Sequence, residues 1–210
     1  MNDAPAAAPR RYALSFTTGA LLAREAATLA PVYLVRREWE QVRDHAVAGN
    51  LLQARTHSTG VRLVRETVKR LSALTDTELE LFVEATGSER AHLMWAADCC
   101  RYELIGEFAE EVLRERYLLL ATTLAYEEFD SFVRAKAIWH EELAAIKPST
   151  LQKLRSNVFK MLGEAELVSE AGNIMPAVLS ERVVAALSAH TPSDLRFFPT
   201  PQSPAAGVPR

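Results

Sequence analysis

The sequence predicts a mainly α, multi-helix globular protein. Apolar residues recur every three to four positions along most of the chain, as they do on one face of a helix. Helix-start and helix-stop signals bound these segments, and the sequence contains no internal repeat and no series of alternating strands. With 210 residues, 49% hydrophobic and 24% charged, the chain has a globular composition and is long enough to bury a core.

Three helices are predicted before residue 72. Thr17 or Thr18 can cap the first, which Pro31 should interrupt or kink. The second, EWEQVRDHAVAGN, ends at Gly49–Asn50. The third covers residues 59–71, where valines and leucines recur at helical spacing.

Helical signals continue to residue 146. Thr75 and Glu78 have the spacing of a capping box and open the helix TELELFVEATG, which Gly87 should end. A long apolar helix is predicted from Ser88 to Leu104, and Gly106 should separate it from the helix EFAEEVLRERYLLL. The aromatic residues of YEEFDSFVRAKAIWH predict one further helix.

The C-terminal part departs from this pattern at one place. Pro148 breaks the chain, and Ser149 should cap the helix STLQKLRSNVFKMLGEA. Two short apolar runs then flank Glu170-Ala171-Gly172-Asn173, which favours a small β-hairpin near residues 167–176 over a structureless loop, the alternative. With the helix SERVVAALSAH behind it, this segment is similar to the wing of a winged-helix module.

These observations divide the chain into four parts. They are a flexible N-terminal arm (1–10), a helical bundle (11–146, basic over 11–71 and acidic over 72–146), a winged-helix-like helix-hairpin-helix (147–196) and a disordered tail (197–210).

Charge is distributed unevenly along the chain, although the formal net charge is only −3. Residues 1–71 hold eleven Lys and Arg against six Asp and Glu, residues 72–146 six against sixteen, and residues 147–210 seven against five. Such asymmetry is typical of a polyanion site formed by the two ends of the chain, or of an unevenly charged solvated surface.

The helix at residues 59–71 carries part of this basic charge on one face. At about 100° per residue, Arg62, Arg65 and Lys69 share a stripe beside the apolar core face. Before it, residues 55–59 supply Arg55, His57 and small hydroxyls at a helix start, a setting that suits a phosphate. In the alternative interpretation, Ser58 or Thr59 caps the helix and the arginines pair with acids of the middle segment.

A second basic helix follows Pro148. Lys153 and Lys160 lie opposite its apolar face, Asn157 beside them and Arg155 at the boundary, which fits contact with a DNA groove or backbone or merely an exposed polar face. We regard Arg62, Arg155 and Asn157 as the candidates for contacts with base edges. The predicted nucleic-acid contacts are Arg10, Arg11, Arg55, His57, Ser58, Thr59, Arg62, Arg65, Lys69, Lys153, Arg155, Asn157 and Lys160.

The sequence lacks the motifs of the common enzyme classes. It has no phosphate-binding glycine loop, and His140-Glu141 lacks the second histidine of a zinc motif. We therefore predict no catalytic residue, metal or cofactor. Cys99 and Cys100 are expected to be reduced packing residues, and no segment is long and apolar enough to cross a membrane, so a cytoplasmic location is expected.

Five stretches together resemble the BrxA family of BREX phage-resistance systems. They are residues 11–26, 50–66, 99–118, 126–143 and 149–168, in family order, and Glu166 departs from the family pattern, which has Gly there. The resemblance implies a small helical protein that binds DNA without enzymatic activity. It also implies partners, namely a methyltransferase, an ATPase and a phosphatase-like protein of the same defence system.

The sequence and the resemblance together predict an accessory protein that binds double-stranded DNA mainly through its phosphates. Two alternatives remain. The acidic residues around 78–89 and 107–115 could make the chain a protein-interaction scaffold, and its arginine-rich helices could bind structured RNA.

Overall fold

The computed structural model describes residues 11–16, 18 and 20–201. The predicted arm, including Arg10, lies outside the described residues, as do positions 202–210 of the predicted tail. The described chain is mainly α, as the sequence predicted, and no β-strand occurs in it.

The helices follow one another with short connections. They are α1 (Ala23–Arg36), α2 (Trp39–Ala48), α3 (His57–Leu71), α4 (Asp76–Glu84), α5 (Gly87–Arg101), α6 (Glu103–Phe108), a π-helical segment (Ala109–Arg114), α7 (Glu115–Leu118), α8 (Tyr126–Lys136), α9 (Glu141–Ala144), α10 (Pro148–Glu164), α11 (Glu181–Ser188) and a 3-10 helix (Asp194–Phe197).

Helix α5 occupies the centre of the fold. It packs against α1, α3, α4, α6, α10 and α11. Its residues from Ala91 to Cys99 are all buried, and Trp95 is 0% exposed. A helix that is apolar on nearly all sides is buried on all sides, which is how the run AHLMWAADCC specifies the central element.

Helix α1 differs from its prediction at both ends. Leu22, with a left-handed φ of 57°, is the N-cap, so Thr18 does not cap the helix, and Thr17 lies outside the described residues. Pro31 lies inside α1 without interrupting it. Burial of Leu29 and Ala30 on its inner face offsets the backbone hydrogen bond that proline cannot donate.

The capping box predicted at Thr75 and Glu78 is confirmed at the start of α4. A second capping box, formed by Thr86 and Glu89, opens α5 immediately afterwards. Gly87 therefore begins a helix and does not end one. Pro148 takes the first position of α10, so Ser149 lies within that helix and is not its cap.

Residues 103–118 form one helical run, so the predicted separation at Gly106 is wrong. Gly106 lies inside α6 because its bare Cα allows a close approach. A Cβ there would come within 2.7 Å of the Cys99 carbonyl and 3.2 Å of the Phe197 ring. Further along the chain, α8 ends at Lys136, and α9 is a separate short helix.

The predicted β-hairpin and winged-helix module are not supported. Residues 167–175 make a tight turn with Gly172 at φ 80°, but Val168 and Ile174 form only one isolated bridge. In the described chain its two arms share two backbone hydrogen bonds, Ser169 N–H to Asn173 and Met175 N–H to Leu167, which are too few for strands. The turn also bonds to the segment before α8: Leu124 N–H donates to the Gly172 carbonyl, and Ile174 N–H to that of Thr122.

The predicted tail begins too early, because residues 197–200 belong to the core. Phe197 and Phe198 are 3% and 0% exposed, and Trp95 Nε1 donates a hydrogen bond to the Phe197 carbonyl at 2.9 Å. Two aromatic rings bury enough apolar surface to fix a segment that has no helical periodicity.

Candidate nucleic-acid interface

The loop that leads into α3 is held by local hydrogen bonds. The Asn50 side chain accepts from Ala54 N–H at 3.0 Å. Thr56, not Ser58 or Thr59, is the N-cap: its hydroxyl oxygen accepts from Thr59 N–H at 3.2 Å and donates to the Thr59 hydroxyl at 2.8 Å. Because these contacts fix the start of α3, they also fix the direction of the side chains on its first turns.

The predicted cationic stripe on α3 faces solvent. Arg62 and Arg65 are exposed and Lys69 is half-buried, while Val64, Val68 and Leu71 are buried on the opposite side. None of the three cations makes an ion pair with another residue of the described ranges. Their charge is therefore not neutralised within the described part of the protein.

Arg70, on the same helix, has the opposite environment. It is 0% exposed, and its Nε lies 3.2 Å from Glu66 Oε1 and 3.1 Å from Asp98 Oδ1. Its Nη1 and Nη2 donate to the carbonyls of Ala20 and Thr18. One basic helix thus has a neutralised inner cation and three outer cations without an ion-pair partner in the described chain.

Arg55 and His57 lie together at the α3 entrance. Both line a pocket of about 320 Å³ between α2 and α3, along with Gly60 and Val61. Ser58 is exposed on the next position, 3.3 Å from the Thr56 hydroxyl. Arg55 and His57 therefore lie on the side of α3 that faces α2, and not in line with the cationic stripe.

The four candidates on α10 separate into two classes. Lys153 and Lys160 are exposed, and Lys160 has only one distant pairing, 3.9 Å from Glu164. Arg155 instead binds Asp130 at 2.5 Å, and Asn157 donates to the Phe16 carbonyl at 3.2 Å. Arg155 and Asn157 therefore hold α10 against neighbouring segments.

The structure brings the two basic helices near each other. Leu63 of α3 and Lys160 of α10 line the same pocket of about 470 Å³. Arg24 of α1 also lines this pocket, is exposed, and its side chain makes no hydrogen bond or ion pair with another described residue. Arg24 is not among the predicted contacts, because no motif or spacing in the sequence distinguishes it.

Arg11 is exposed, and the residue that follows it is firmly attached. Tyr12 N–H donates to Glu142 at 2.6 Å, and the Tyr12 hydroxyl donates to Glu107 at 2.7 Å. Burial, together with the Glu107 carboxylate, raises the pKa of Tyr12, so this hydroxyl stays protonated and keeps donating.

Many glutamates of the acidic middle segment bind cations within the protein. Glu89 pairs with Arg182, Glu107 and Glu111 with Lys136, and Glu110 with Arg196. The acidic excess of residues 72–146 is thus partly offset by cations that lie later in the chain.

The described residues show no metal or membrane-spanning feature. No group of His, Cys, Asp and Glu in the described ranges could hold a metal ion. In the same ranges, every helix is too short or too polar to cross a bilayer. Cys99 is buried, and burial together with Asp194 raises the pKa of the Cys100 thiol to about 12, so that thiol remains protonated at neutral pH.

Comparisons with known proteins point to one family. A family model described as BrxA matches residues 10–191. BREX protein BrxA from Escherichia coli O9:H4 (strain HS) is 26% identical over 150 residues, which are 71% of this chain and 70% of that protein. An uncharacterized protein from Magnetospirillum magneticum, solved by crystallography, has a TM-score of 0.73 at 19% identity and covers 89% of this chain and 97% of its own; this likeness is one of fold.

Proposed function

Since this chain belongs to the BrxA family, we propose that it is a DNA-binding accessory component of a BREX phage-defence system. In this proposal it has no enzymatic activity and acts in the cytoplasm. Its partners are double-stranded DNA and other BREX components: the methyltransferase, the ATPase and the phosphatase-like protein.

One observation carries the proposal. Arg62, Arg65 and Lys69 form a solvent-facing stripe without an ion pair in the described chain, whereas Arg70 of the same helix is fully neutralised inside. Exposed cations on one rigid helix can replace counterions along a phosphate backbone, and the released counterions favour binding. Lys160 and Arg24 would extend the stripe across the pocket that α3 shares with α10.

This mode of binding would give little sequence preference. Phosphate contacts position a protein on DNA, and specificity requires contacts with base edges. Of the three side chains suggested for base contacts, Arg155 and Asn157 are engaged by Asp130 and Phe16, which leaves Arg62 as the main candidate. We therefore expect the affinity for unrelated duplexes of equal length to be similar.

A fluorescence-anisotropy titration of the full chain with a labelled duplex tests the proposal. We expect binding at about 50 mM salt and a linear fall of log affinity with log salt concentration. Arg62→Glu with Arg65→Glu should lower the affinity by tenfold or more, since each phosphate contact becomes a repulsion. Arg134→Glu with Lys147→Glu is the matched control, because both residues are exposed and the net charge changes equally.

Three outcomes would contradict the proposal: no binding at low salt, an affinity that is insensitive to salt, or equal losses from the two double variants. A competition between duplex DNA and duplex RNA of equal length adds a fourth. If the protein prefers duplex RNA, then RNA and not DNA is the ligand of this surface.

A further inference from the structure

A long groove lies on another side of α10, away from α3. Its walls are residues 123–127 at the start of α8, the face of α10 that includes Ser156, Phe159 and Gly163, and the turn from Glu166 to Met175. The groove measures about 1060 Å³, the upper end of the range for pockets that bind drug-sized ligands. Its volume therefore suits several consecutive residues of a peptide.

The interior of the groove exposes large apolar side chains. Tyr126 is 46% exposed and Met175 is 43% exposed. The Tyr126 ring meets the Phe159 ring edge to face at 4.5 Å, and Arg155 stacks on Tyr126 at 4.8 Å from the ring centroid. The aromatic wall is thus held in place, whereas Met175 is a flexible and polarisable residue that adapts to different partners.

The rim of the groove is acidic. Glu127, Glu164, Glu166 and Glu170 line it, and among the described residues that line it Lys160 is the one cation. Lys160 lies 3.9 Å from Glu164, which also accepts from Leu21 N–H at 2.8 Å.

Two of these carboxylates have no internal partner. Glu127 and Glu170 are exposed and make no hydrogen bond or ion pair with any residue in the described ranges. Glu89, Glu107 and Glu110 differ, since each of them binds a cation of the protein itself. The groove rim is therefore net negative, and its Glu127 and Glu170 carboxylates have no compensating cation in the described chain.

We propose that this groove binds a basic segment of a partner protein, a peptide that carries Lys or Arg together with an apolar side chain. The cations would meet Glu127 and Glu170, and the apolar side chain would enter between Tyr126 and Met175. Opposite charges across such a contact direct association and exclude wrong partners. A nucleic acid is excluded as the occupant because its phosphates would face four carboxylates and one ammonium group.

The inference extends beyond the proposed function, since it concerns a second ligand of opposite charge. Lys160 and Glu164 line both the groove and the pocket shared with α3, so the two surfaces adjoin along one helix. A peptide-binding experiment contains no nucleic acid, so a negative result in it would not contradict the proposal that the protein binds DNA.

Retention of synthetic peptide pools on the immobilised full chain tests the inference. Three pools are compared, each of peptides of about twelve residues with equal numbers of Leu, Phe and Met. The remaining positions are Lys and Arg in the cationic pool, Asp and Glu in the anionic pool, and Ser and Gln in the neutral pool. At about 100 mM salt, we expect the cationic pool to be retained about tenfold more than either other pool. A cationic pool in which Ala replaces the apolar residues should lose most of this advantage.

Matched variants locate the binding surface. Glu127→Lys with Glu170→Lys should abolish the preference for the cationic pool. Glu40→Lys with Glu103→Lys changes the net charge equally at exposed positions outside the groove and should preserve it. Met175→Ser should weaken retention about tenfold, whereas Val178→Ser, at an 86% exposed position that does not line the groove, should not.

The inference is overturned if the three pools are retained equally, or if the groove double variant and the control double variant behave alike. Equal effects of Met175→Ser and Val178→Ser would also overturn it, because the apolar part of the contact would then lie elsewhere.

Discussion

Asp98 and Arg70 meet at the centre of the protein, with both side chains 0% exposed and Arg70 Nε 3.1 Å from Asp98 Oδ1. Glu66 contacts the same guanidinium at 3.2 Å and also accepts a hydrogen bond from the Tyr102 hydroxyl. One cation thus faces two carboxylates in a site without water contact. Burial, with Glu66 adding repulsion, raises the pKa of Asp98 to about 8.

This raised pKa predicts that the protein becomes less stable as the pH rises toward 8. An aspartate that holds its proton in the folded state but loses it in the unfolded state stabilises the fold fully below its ordinary pKa. That stabilisation is lost as the pH rises to the folded pKa. The free energy of unfolding should fall by up to about 1.4 kcal/mol per pH unit from this group. Urea unfolding at several pH values between 6.5 and 8 measures the slope.

Substitution of the carboxyl group checks the assignment. Asp98→Asn should remove most of this slope, while Asp44→Asn, at an exposed position, should leave it unchanged. An Asp98→Asn protein with the wild-type slope would mean that another group is responsible.

Glu89 predicts the opposite response at acid pH. Its carboxylate accepts from Arg182, from the Ser180 hydroxyl at 2.7 Å and from Thr86 N–H at 2.8 Å, which lowers its pKa. The stabilisation from a depressed pKa is present above the ordinary pKa of glutamate and is lost as the pH falls below it.

The wild-type protein should therefore begin to lose stability as the pH falls below about 4.3, the ordinary glutamate pKa, and should go on losing it at still lower pH, because the folded pKa of Glu89 lies well below that value. Glu89→Gln should be less stable at pH 7 and should respond less steeply to acid. Thermal unfolding followed by circular dichroism across this range measures both effects. Glu40→Gln, which removes an exposed carboxylate, is the control; an equal change in both variants would contradict the role of Glu89.

Phe198 should be essential for stability even though it lies near the end of the chain. Its side chain is 0% exposed and meets the His92 ring at 6.0 Å between centroids. Phe198→Ala should lower the free energy of unfolding by about 3–5 kcal/mol, because it leaves a cavity in the core. Urea denaturation measures the loss. Val178→Ala, at an 86% exposed site, should change it by less than about 0.5 kcal/mol.

Two glycines should respond differently to alanine. At Gly106 a Cβ would lie 2.7 Å from the Cys99 carbonyl, so Gly106→Ala should cost about 1–3 kcal/mol of stability through displaced backbone. Gly87 has no atom within 4 Å of such a Cβ and lies in the first turn of α5. Gly87→Ala should be neutral or slightly stabilising in the same urea experiment, and equal losses would contradict the packing argument.

Local rules account for what the sequence predicted well. The helical period, the capping box at Thr75 and Glu78 and the stop at Gly49 depend on residues within a few positions of one another. The family, too, was predicted from ordered stretches and is confirmed by the match over residues 10–191.

Distant contacts account for what the sequence did not predict. Arg70 differs from Arg62 and Lys69 because Asp98 and the carbonyls before α1 lie next to it, and no local pattern shows this. The turn at Gly172 bonds to residues near Leu124, and the carbonyl of Phe197 accepts from Trp95; no local pattern shows either contact, and the tail was predicted to begin too early. The nucleic-acid role of the α3 stripe stays a prediction.

Glu110 and Glu111, which are adjacent in the sequence, bind cations from two different parts of the chain. The Lys136 ammonium lies 2.7 Å from Glu111, and Arg196 Nε lies 3.3 Å from Glu110. Two consecutive residues of the π-helical segment therefore hold both ends of the stretch from Lys136 to Arg196, which includes α10 and the turn at Gly172. A segment with both ends bound to one helical turn has already lost part of its loop-closure entropy, so a longer or shorter connection inside it should change the free energy of unfolding only slightly.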